Sequence, residues 1–142
     1  MNKTKPKFEY IDHTADVGIK IYGETLPELF ANAAYGLFDI IANLETVRAD
    51  KQRFVEVEAD DREALLVNWL SELNYLFFTQ REIYMEFGIK HISETNLSAI
   101  VKGEALDVGR HEIYTEVKAV TYHHLYIRGE KQGWEAQVIF DL

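Results

Sequence analysis

The densest group of reactive side chains is the segment Asp12-His13-Thr14-Ala15-Asp16, close to the start of the chain. It offers two carboxylates, an imidazole and a hydroxyl within five positions. Carboxylate oxygens with few neutralising neighbours suit a hard divalent cation such as calcium or magnesium. Asp and Thr also favour ordinary turns, because their side chains bond nearby backbone groups. The segment by itself therefore leaves two interpretations open, a metal or catalytic site and a polar turn.

A second candidate is the end of the chain, where Asp141 precedes Leu142. Positions 134, 136, 138 and 140 are all apolar, which is the period of a strand with one buried face. Chain ends usually fray, but this pattern predicts a strand that holds the last residues in a sheet. The Asp141 carboxylate and the main-chain or terminal oxygens of Leu142 would then be able to complete a site begun elsewhere. A solvated terminal acid is the alternative.

Several other kinds of site are excluded or disfavoured. The chain has no cysteine, so it has no disulfide, no thiolate zinc site and no thiol nucleophile. It contains neither a glycine-rich phosphate loop nor a serine nucleophile elbow. His123 and His124 lie in a strand pattern, where neighbours face opposite sides, so we do not expect them to chelate one ion together.

Two helices are predicted to position these candidates. Thr25 and Glu28 form a capping box, and apolar residues at helical spacing follow it as far as Leu44. Acidic residues open a second helix after position 60, where they meet the positive end of the helix dipole. Trp69 and Leu73 lie on the apolar face of this helix and are predicted to belong to the core.

Alternating apolar positions predict strands in most of the remaining chain. A polar stretch from Glu104 to His111 is predicted to be a loop or a flexible hairpin tip, and Gly133 is suited to a hairpin turn with positive φ. This order of elements indicates a single α+β domain over residues 1–142, with two helices packed on a largely antiparallel β-sheet. The predicted strands are 8–11, 17–22, 54–59, 83–89, 97–101, 113–120, 123–128 and 134–142.

Composition narrows the class of protein. The chain has 142 residues, of which 47% are apolar, so it is long and apolar enough to bury a core. Its apolar runs are shorter than the roughly 18–20 residues that span a bilayer, and no signal-peptide pattern appears, so a cytoplasmic location is expected. The net charge is −9, which disfavours general binding to phosphate backbones. That charge fits a solubilising surface, or an acidic face that docks on a basic partner or gathers cations.

Three segments resemble the signatures of the archease family. Residues 8–17 (FEYIDHTADV) resemble its amino-terminal signature. Residues 118–123 (KAVTYH), followed by 133–138 (GWEAQV) and Asp141, are similar to its carboxy-terminal signature. The length and the two-helix layout agree as well, so the resemblance covers nearly the whole chain, although residues 81–113 carry no signature of the family.

The resemblance implies a role in tRNA splicing. Archeases assist the RtcB-type RNA ligase, which joins RNA ends bearing a 2′,3′-cyclic phosphate or a 3′-phosphate to 5′-hydroxyl ends. The ligase uses GTP and manganese and passes through a guanylylated histidine; the archease promotes guanylylation and multiple turnover. The chain is therefore expected to be an activator and no enzyme itself, with the ligase as its partner, no membrane contact, and RNA contact only through the ligase.

The resemblance also implies a divalent-cation site. Carried over onto this sequence, its ligands are Asp16, Asp141 and Leu142, the last through main-chain or terminal oxygens. Asp12 and His13 are supporting candidates, and no catalytic residue is implied. Calcium is the expected cation, with manganese or magnesium as alternatives. Such a site requires Asp16 and the Asp141–Leu142 end to meet in space.

Two other functions remain open from the residues alone. The first is a stand-alone metal-dependent hydrolase or phosphotransfer enzyme, in which Asp12, Asp16 and Asp141 hold the ion and His13 acts as base. The second is a chaperone-like binding module. An assay with and without the cognate ligase distinguishes them from an activator.

Overall fold

The structure is a computed structural model that describes residues 5–11, 16–130 and 132–142. It contains two helices, a short 3-10 turn and strands that form two sheets. None of the described helices is long and apolar enough to cross a membrane. The elements in chain order are β1 Phe8–Ile11, β2 Val17–Gly23, α1 Leu26–Ile41, the 3-10 turn Leu44–Thr46, β3 Lys51–Glu58, α2 Arg62–Gln80, β4 Glu82–Ile92, β5 Asn96–Ala105, β6 Ala119–Glu130 and β7 Gly133–Asp141.

The strands form two antiparallel sheets. The larger has the order β1-β2-β7-β6, and the smaller has the order β3-β5-β4. Helix α1 packs against β2 of the first sheet and β4 of the second, while α2 packs mainly against β6 and β3. The predicted α+β class with two helices is confirmed. The single sheet of the prediction is in fact two sheets, joined through the helices.

Helix α1 begins at the predicted cap and ends earlier than predicted. The Thr25 hydroxyl accepts a hydrogen bond from the Glu28 backbone N–H at 3.2 Å, and the Glu28 carboxylate accepts one from Glu24 N–H. The helix ends at Ile41, where the next residue has an extended backbone. Leu44 is still buried, but in the 3-10 turn, so its apolar spacing reflects burial and not helix.

Helix α2 supplies much of the core. Its first turn is capped by the Asp61 carboxylate, which accepts from Ala64 N–H at 2.8 Å. Trp69 and Leu73 have no exposed surface, as predicted. The indole N–H of Trp69 donates to the carbonyl of Phe30 at 2.9 Å, so this side chain also ties α2 to α1.

Two predictions between residues 104 and 120 are wrong. Strand β6 begins at Ala119 and not at Ile113, which forms only an isolated bridge with Ala42. Glu104, predicted to lie in a loop, is in β5 and buried. The segment before β6 is held to α1 instead of to a sheet, because Tyr114 N–H donates to the Ile41 carbonyl at 2.7 Å.

Strand β6 is interrupted at its two adjacent histidines. Its pairing with β7 shifts between Thr121 and Tyr126, and His124 has a φ of 53°. His123 and His124 are both exposed, so the predicted alternation of faces does not hold in this bulge. The predicted positive φ of Gly133 is confirmed at 128°.

A candidate metal site at one end of the larger sheet

The register of β2 and β7 relates the two acids of the predicted site. Val17 lies opposite Phe140 in this antiparallel pair. Asp16 directly precedes Val17 and Asp141 directly follows Phe140, so the two acids flank the last pair of the ladder. The β2–β7 pairing thus leads the segments that carry the two acids to the same end of the larger sheet, although the acids stand near opposite ends of the sequence.

The end of β7 is well anchored. Ala136, Val138 and Phe140 are completely buried, and β7 lies between β2 and β6. The Asp141 carbonyl accepts a hydrogen bond from Lys118 N–H at 2.8 Å. The main chain at Asp141 is therefore fixed while its side chain is exposed, as expected of a carboxylate that faces a ligand or solvent.

The remaining predicted ligands differ in how far the structure describes them. Asp16 is half-buried in a bend immediately before β2, and Leu142 is half-buried against the core. Asp12 and His13 lie outside the described residues, so their supporting role stays a prediction.

The donor set suits a hard cation but is incomplete in the described residues. Calcium takes six to eight oxygen ligands from carboxylates, carbonyls and water. Asp16 and Asp141 supply carboxylates, and Leu142 can add a main-chain oxygen. No group of three or more His, Asp or Glu side chains suited to a metal occurs among residues 5–11, 16–130 and 132–142. Further oxygens would have to come from water or from residues outside these ranges.

A buried ionic cluster around Glu104 is a feature that no sequence pattern predicted. One carboxylate oxygen of Glu104 accepts from Arg48 N–H at 2.6 Å and faces His111 Nε2 at 3.0 Å. The other accepts from the Arg110 guanidinium. The hydrogen bond from Arg110 is the main cause that lowers the pKa of Glu104 from 4.5 to about 2, with further contributions from His111 and Arg48.

The hydrogen bonds also assign the tautomer of His111. Its Nδ1 accepts from Asp107 N–H at 2.9 Å, so the ring proton of the neutral imidazole is on Nε2. Nε2 then donates to Glu104. The cluster fixes the segment that leads to Lys118, whose N–H bonds the Asp141 carbonyl. No local pattern marks Glu104, because its burial and its bond from Arg48, 56 positions away, depend on the packed fold.

Replacement of Glu104 with glutamine should weaken the fold. The amide keeps the shape but loses the ion pair and turns a donor toward Arg110 or His111, so we expect a loss of about 1–3 kcal/mol in the free energy of unfolding. Urea denaturation at pH 7 measures it. Glu116→Gln, at an exposed position of the same segment, is the matched control and should change stability by less than about 0.5 kcal/mol. Equal effects of the two variants would contradict the assignment.

The same carboxylate should make stability depend on acid pH. The pKa of Glu104 is lower in the folded chain than in the unfolded chain, so between pH 4.5 and 2 the unfolded state binds more protons. The stabilisation from Glu104 is therefore present above pH 4.5 and is lost as the pH falls toward 2. Glu104→Gln should flatten this part of the curve of unfolding free energy against pH, and an unchanged slope would contradict the lowered pKa.

Comparison with known proteins shows a consistent set of relatives. A family model described as the Archease protein family (MTH1598/TM1083) matches residues 8–142. A protein archease from Methanosarcina barkeri is 39% identical over 146 residues and covers 100% of both chains. One from Pyrococcus abyssi is 40% identical over 141 residues, which is 96% of this chain and 99% of that protein.

Solved structures agree with the fold. The solution structure of Methanobacterium thermoautotrophicum protein 1598 has a TM-score of 0.81 and 38% identity, and covers 96% of this chain and 99% of that one. A crystal structure from Thermotoga maritima, described as an archease and possible chaperone, has a TM-score of 0.63 and covers 100% and 99% of the two chains. Its identity is 21%, so it supports the fold alone.

Proposed function

The chain belongs to the archease protein family, and on that premise we propose that it is an accessory activator of an RtcB-type tRNA-splicing RNA ligase. In this role it promotes the GTP-dependent guanylylation of the ligase and its multiple turnover. It performs no bond chemistry alone, and its partner is the ligase.

The observation that carries the proposal is the β2–β7 register. The pairing of Val17 with Phe140 leads Asp16 and Asp141 to the same, anchored end of the larger sheet. Carboxylate and main-chain oxygens gathered at one sheet end are the ligands that a hard divalent cation takes. We therefore propose that Asp16, Asp141 and an oxygen of Leu142 hold a divalent cation, with calcium expected first and manganese or magnesium as alternatives. Asp12 and His13 remain supporting candidates.

Charge explains why an activator of this kind would use a cation. The chain carries a net charge of −9, and guanylylation brings the triphosphate of GTP to the ligase. Phosphoryl transfer depends on positioning and on neutralisation of the phosphate charge. A bound divalent cation supplies that positive charge. Asp16 and Asp141 would position it at the surface that meets the ligase, or would use it to clamp the surface that stabilises the GTP-accepting form of the ligase.

The test compares the ligase alone, the chain alone and the two together. We expect more guanylylated ligase per minute, and several joined RNA products per ligase molecule, only when both proteins are present with GTP and manganese. Processing of GTP or RNA by the chain alone would favour the metal-dependent enzyme. If the chain suppressed the aggregation of the ligase and of an unrelated unfolded protein to the same extent, without faster guanylylation, the result would favour the chaperone-like module.

A further inference from the structure

A cleft of about 430 Å³ opens where the edge strand β4 meets α1 and the residue that precedes β1. Its lining includes three lysines, Lys7, Lys90 and Lys102, and one carboxylate, Glu86. Lys7 lies beside Tyr22, near the end of β2 that is far from Asp16, because the Tyr22 N–H donates to the Lys7 carbonyl at 3.0 Å. Tyr22 is five positions along β2 from Val17, which corresponds to about 17 Å. The cleft is therefore remote from the candidate metal site.

The lysines concentrate positive charge on a chain whose net charge is −9. In the described part of the chain, none of the three forms an ion pair with a carboxylate. Lys7 Nζ lies 4.0 Å from the centre of the Tyr35 ring, and Lys90 and Lys102 are exposed. With three ammonium groups against the single carboxylate of Glu86, which lies opposite Lys102, the concavity carries a net positive charge and attracts an anion. Lysine binds phosphate as a point charge.

A glycine forms part of the lining. Gly88 lies inside β4, and its φ is not positive. Strand β4 shifts its pairing register on both sides of Gly88, but Gly88 itself pairs regularly with Ile100. A Cβ atom there would meet only the Ile100 carbonyl oxygen, at 3.6 Å, which is an ordinary contact. The missing side chain leaves this part of the strand open to the close approach of a ligand, which is one of the uses of glycine inside a strand.

An exposed aromatic residue continues the same surface. Gly88 pairs with Ile100, and Ile100 pairs with Phe54 on the far side of β5. Directly paired residues share one face of a sheet, so Phe54 lies in the same row, with 57% of its surface exposed. An exposed ring on a sheet beside basic side chains is the arrangement on which unpaired bases stack while their phosphates are neutralised.

We propose that this cleft binds single-stranded nucleic acid directly, with phosphates at Lys90 and Lys102, the strand passing over Gly88, and a base against Phe54. The proposal goes beyond the expectation that RNA is contacted only through the ligase. It does not depend on activation of the ligase, since it concerns the isolated chain. A free mononucleotide shares the phosphate chemistry but carries a single phosphate group, so it cannot place phosphates at both Lys90 and Lys102.

The test uses fluorescence anisotropy with a labelled strand of ten uridines and its deoxy counterpart, in EDTA and low salt. We expect saturable binding. The logarithm of the association constant should fall with the logarithm of the salt concentration with a slope of about −1.4, because each of the two phosphates neutralised at Lys90 and Lys102 contributes about −0.7. Uridine monophosphate should compete only weakly. Absence of saturable binding, or equally strong competition by the mononucleotide, would overturn the proposal.

Charge variants test whether binding depends on the cleft or on the net charge of the chain. Lys90→Gln with Lys102→Gln should weaken binding by about tenfold or more, as two ion pairs are lost. Lys20→Gln, on β2 opposite Glu9, removes a similar charge at a distance and should change affinity less than about twofold. Glu86→Gln should tighten binding. If Lys20→Gln lowered the affinity as much as replacement of Lys90 or Lys102 alone, binding would depend on the net charge of the chain, and the proposed site would be refuted.

The Gly88→Val variant distinguishes an effect on nucleic-acid binding from an effect on the stability of the fold. Valine favours strands, and a Cβ at this position has room, so the melting temperature should stay unchanged or rise. The valine side chain would nevertheless occupy the proposed path of the nucleic acid. We expect the affinity to fall by about tenfold, which is the size of effect expected when an added side chain disturbs a packed contact. A valine variant that binds as tightly as the wild type would contradict the proposed path, as would a Phe54→Ser variant with unchanged affinity.

Discussion

Replacing Asp16 or Asp141 with alanine is expected to abolish activation of the ligase while the chain remains folded. Each change removes one of the two carboxylates that flank the last pair of the β2–β7 ladder. Loss even of groups that only support a metal ligand weakens metal sites about 10- to 100-fold, so loss of a ligand should lower the guanylylation rate at least tenfold. The measurement is guanylylated ligase formed per minute, with circular dichroism to confirm folding.

The control for this experiment is another exposed acid. Asp60→Ala removes the same charge in the loop before α2, far along the chain from both carboxylates, and should leave activation unchanged. Asp141→Ala leaves the backbone hydrogen bond from Lys118 in place, so a loss of activation in a folded variant is not a loss of the sheet end. Full activation of the ligase by a folded Asp16→Ala variant would refute the metal-site proposal. The activator role would then be supported by family membership alone.

A manganese series distinguishes the two ways in which the carboxylates would act. If Asp16 and Asp141 position a cation for the reaction of the ligase, excess manganese should restore activation to the variants. If they clamp a surface that stabilises the GTP-accepting ligase, excess manganese should restore nothing.

Trp69→Ala should produce the largest loss of stability, about 3–5 kcal/mol in the free energy of unfolding. The side chain is completely buried, and its removal leaves both a cavity and the Phe30 carbonyl without its donor. Urea denaturation measures the loss. Trp69→Phe fills part of the cavity and removes the hydrogen bond, so it should cost less. Tyr75→Ala, on the exposed side of the same helix, should cost less than about 0.5 kcal/mol.

If the urea concentration at the midpoint of unfolding were the same for Trp69→Ala and the wild type, the indole would not be part of the core. An equal loss for Tyr75→Ala would show that the apolar face of α2 is assigned incorrectly. The comparison between the two positions therefore tests the face of the helix and not only the size of the residue removed.

The sequence by itself determined the parts of the fold that depend on near neighbours. The Thr25 and Asp61 caps are each formed within three residues, and helical spacing was enough to identify the buried face of α2, including Trp69. The strand pattern at the end of the chain likewise predicted β7, because alternation of buried side chains is a local property. The segments that resemble archease signatures are short local strings as well, and the family comparison confirmed that resemblance.

Only the tertiary structure decided which segments meet. The division into two sheets, the pairing of β2 with β7 and the cleft over Gly88 all depend on strand register, which local alternation does not specify. Glu104 shows the same point, since a polar residue in a polar stretch looks like part of a loop until the fold buries it and brings the distant Arg48 N–H to its carboxylate. Propensity and periodicity act over a few residues, whereas burial of a charge or pairing of strands is settled by the free energy of the whole packed chain.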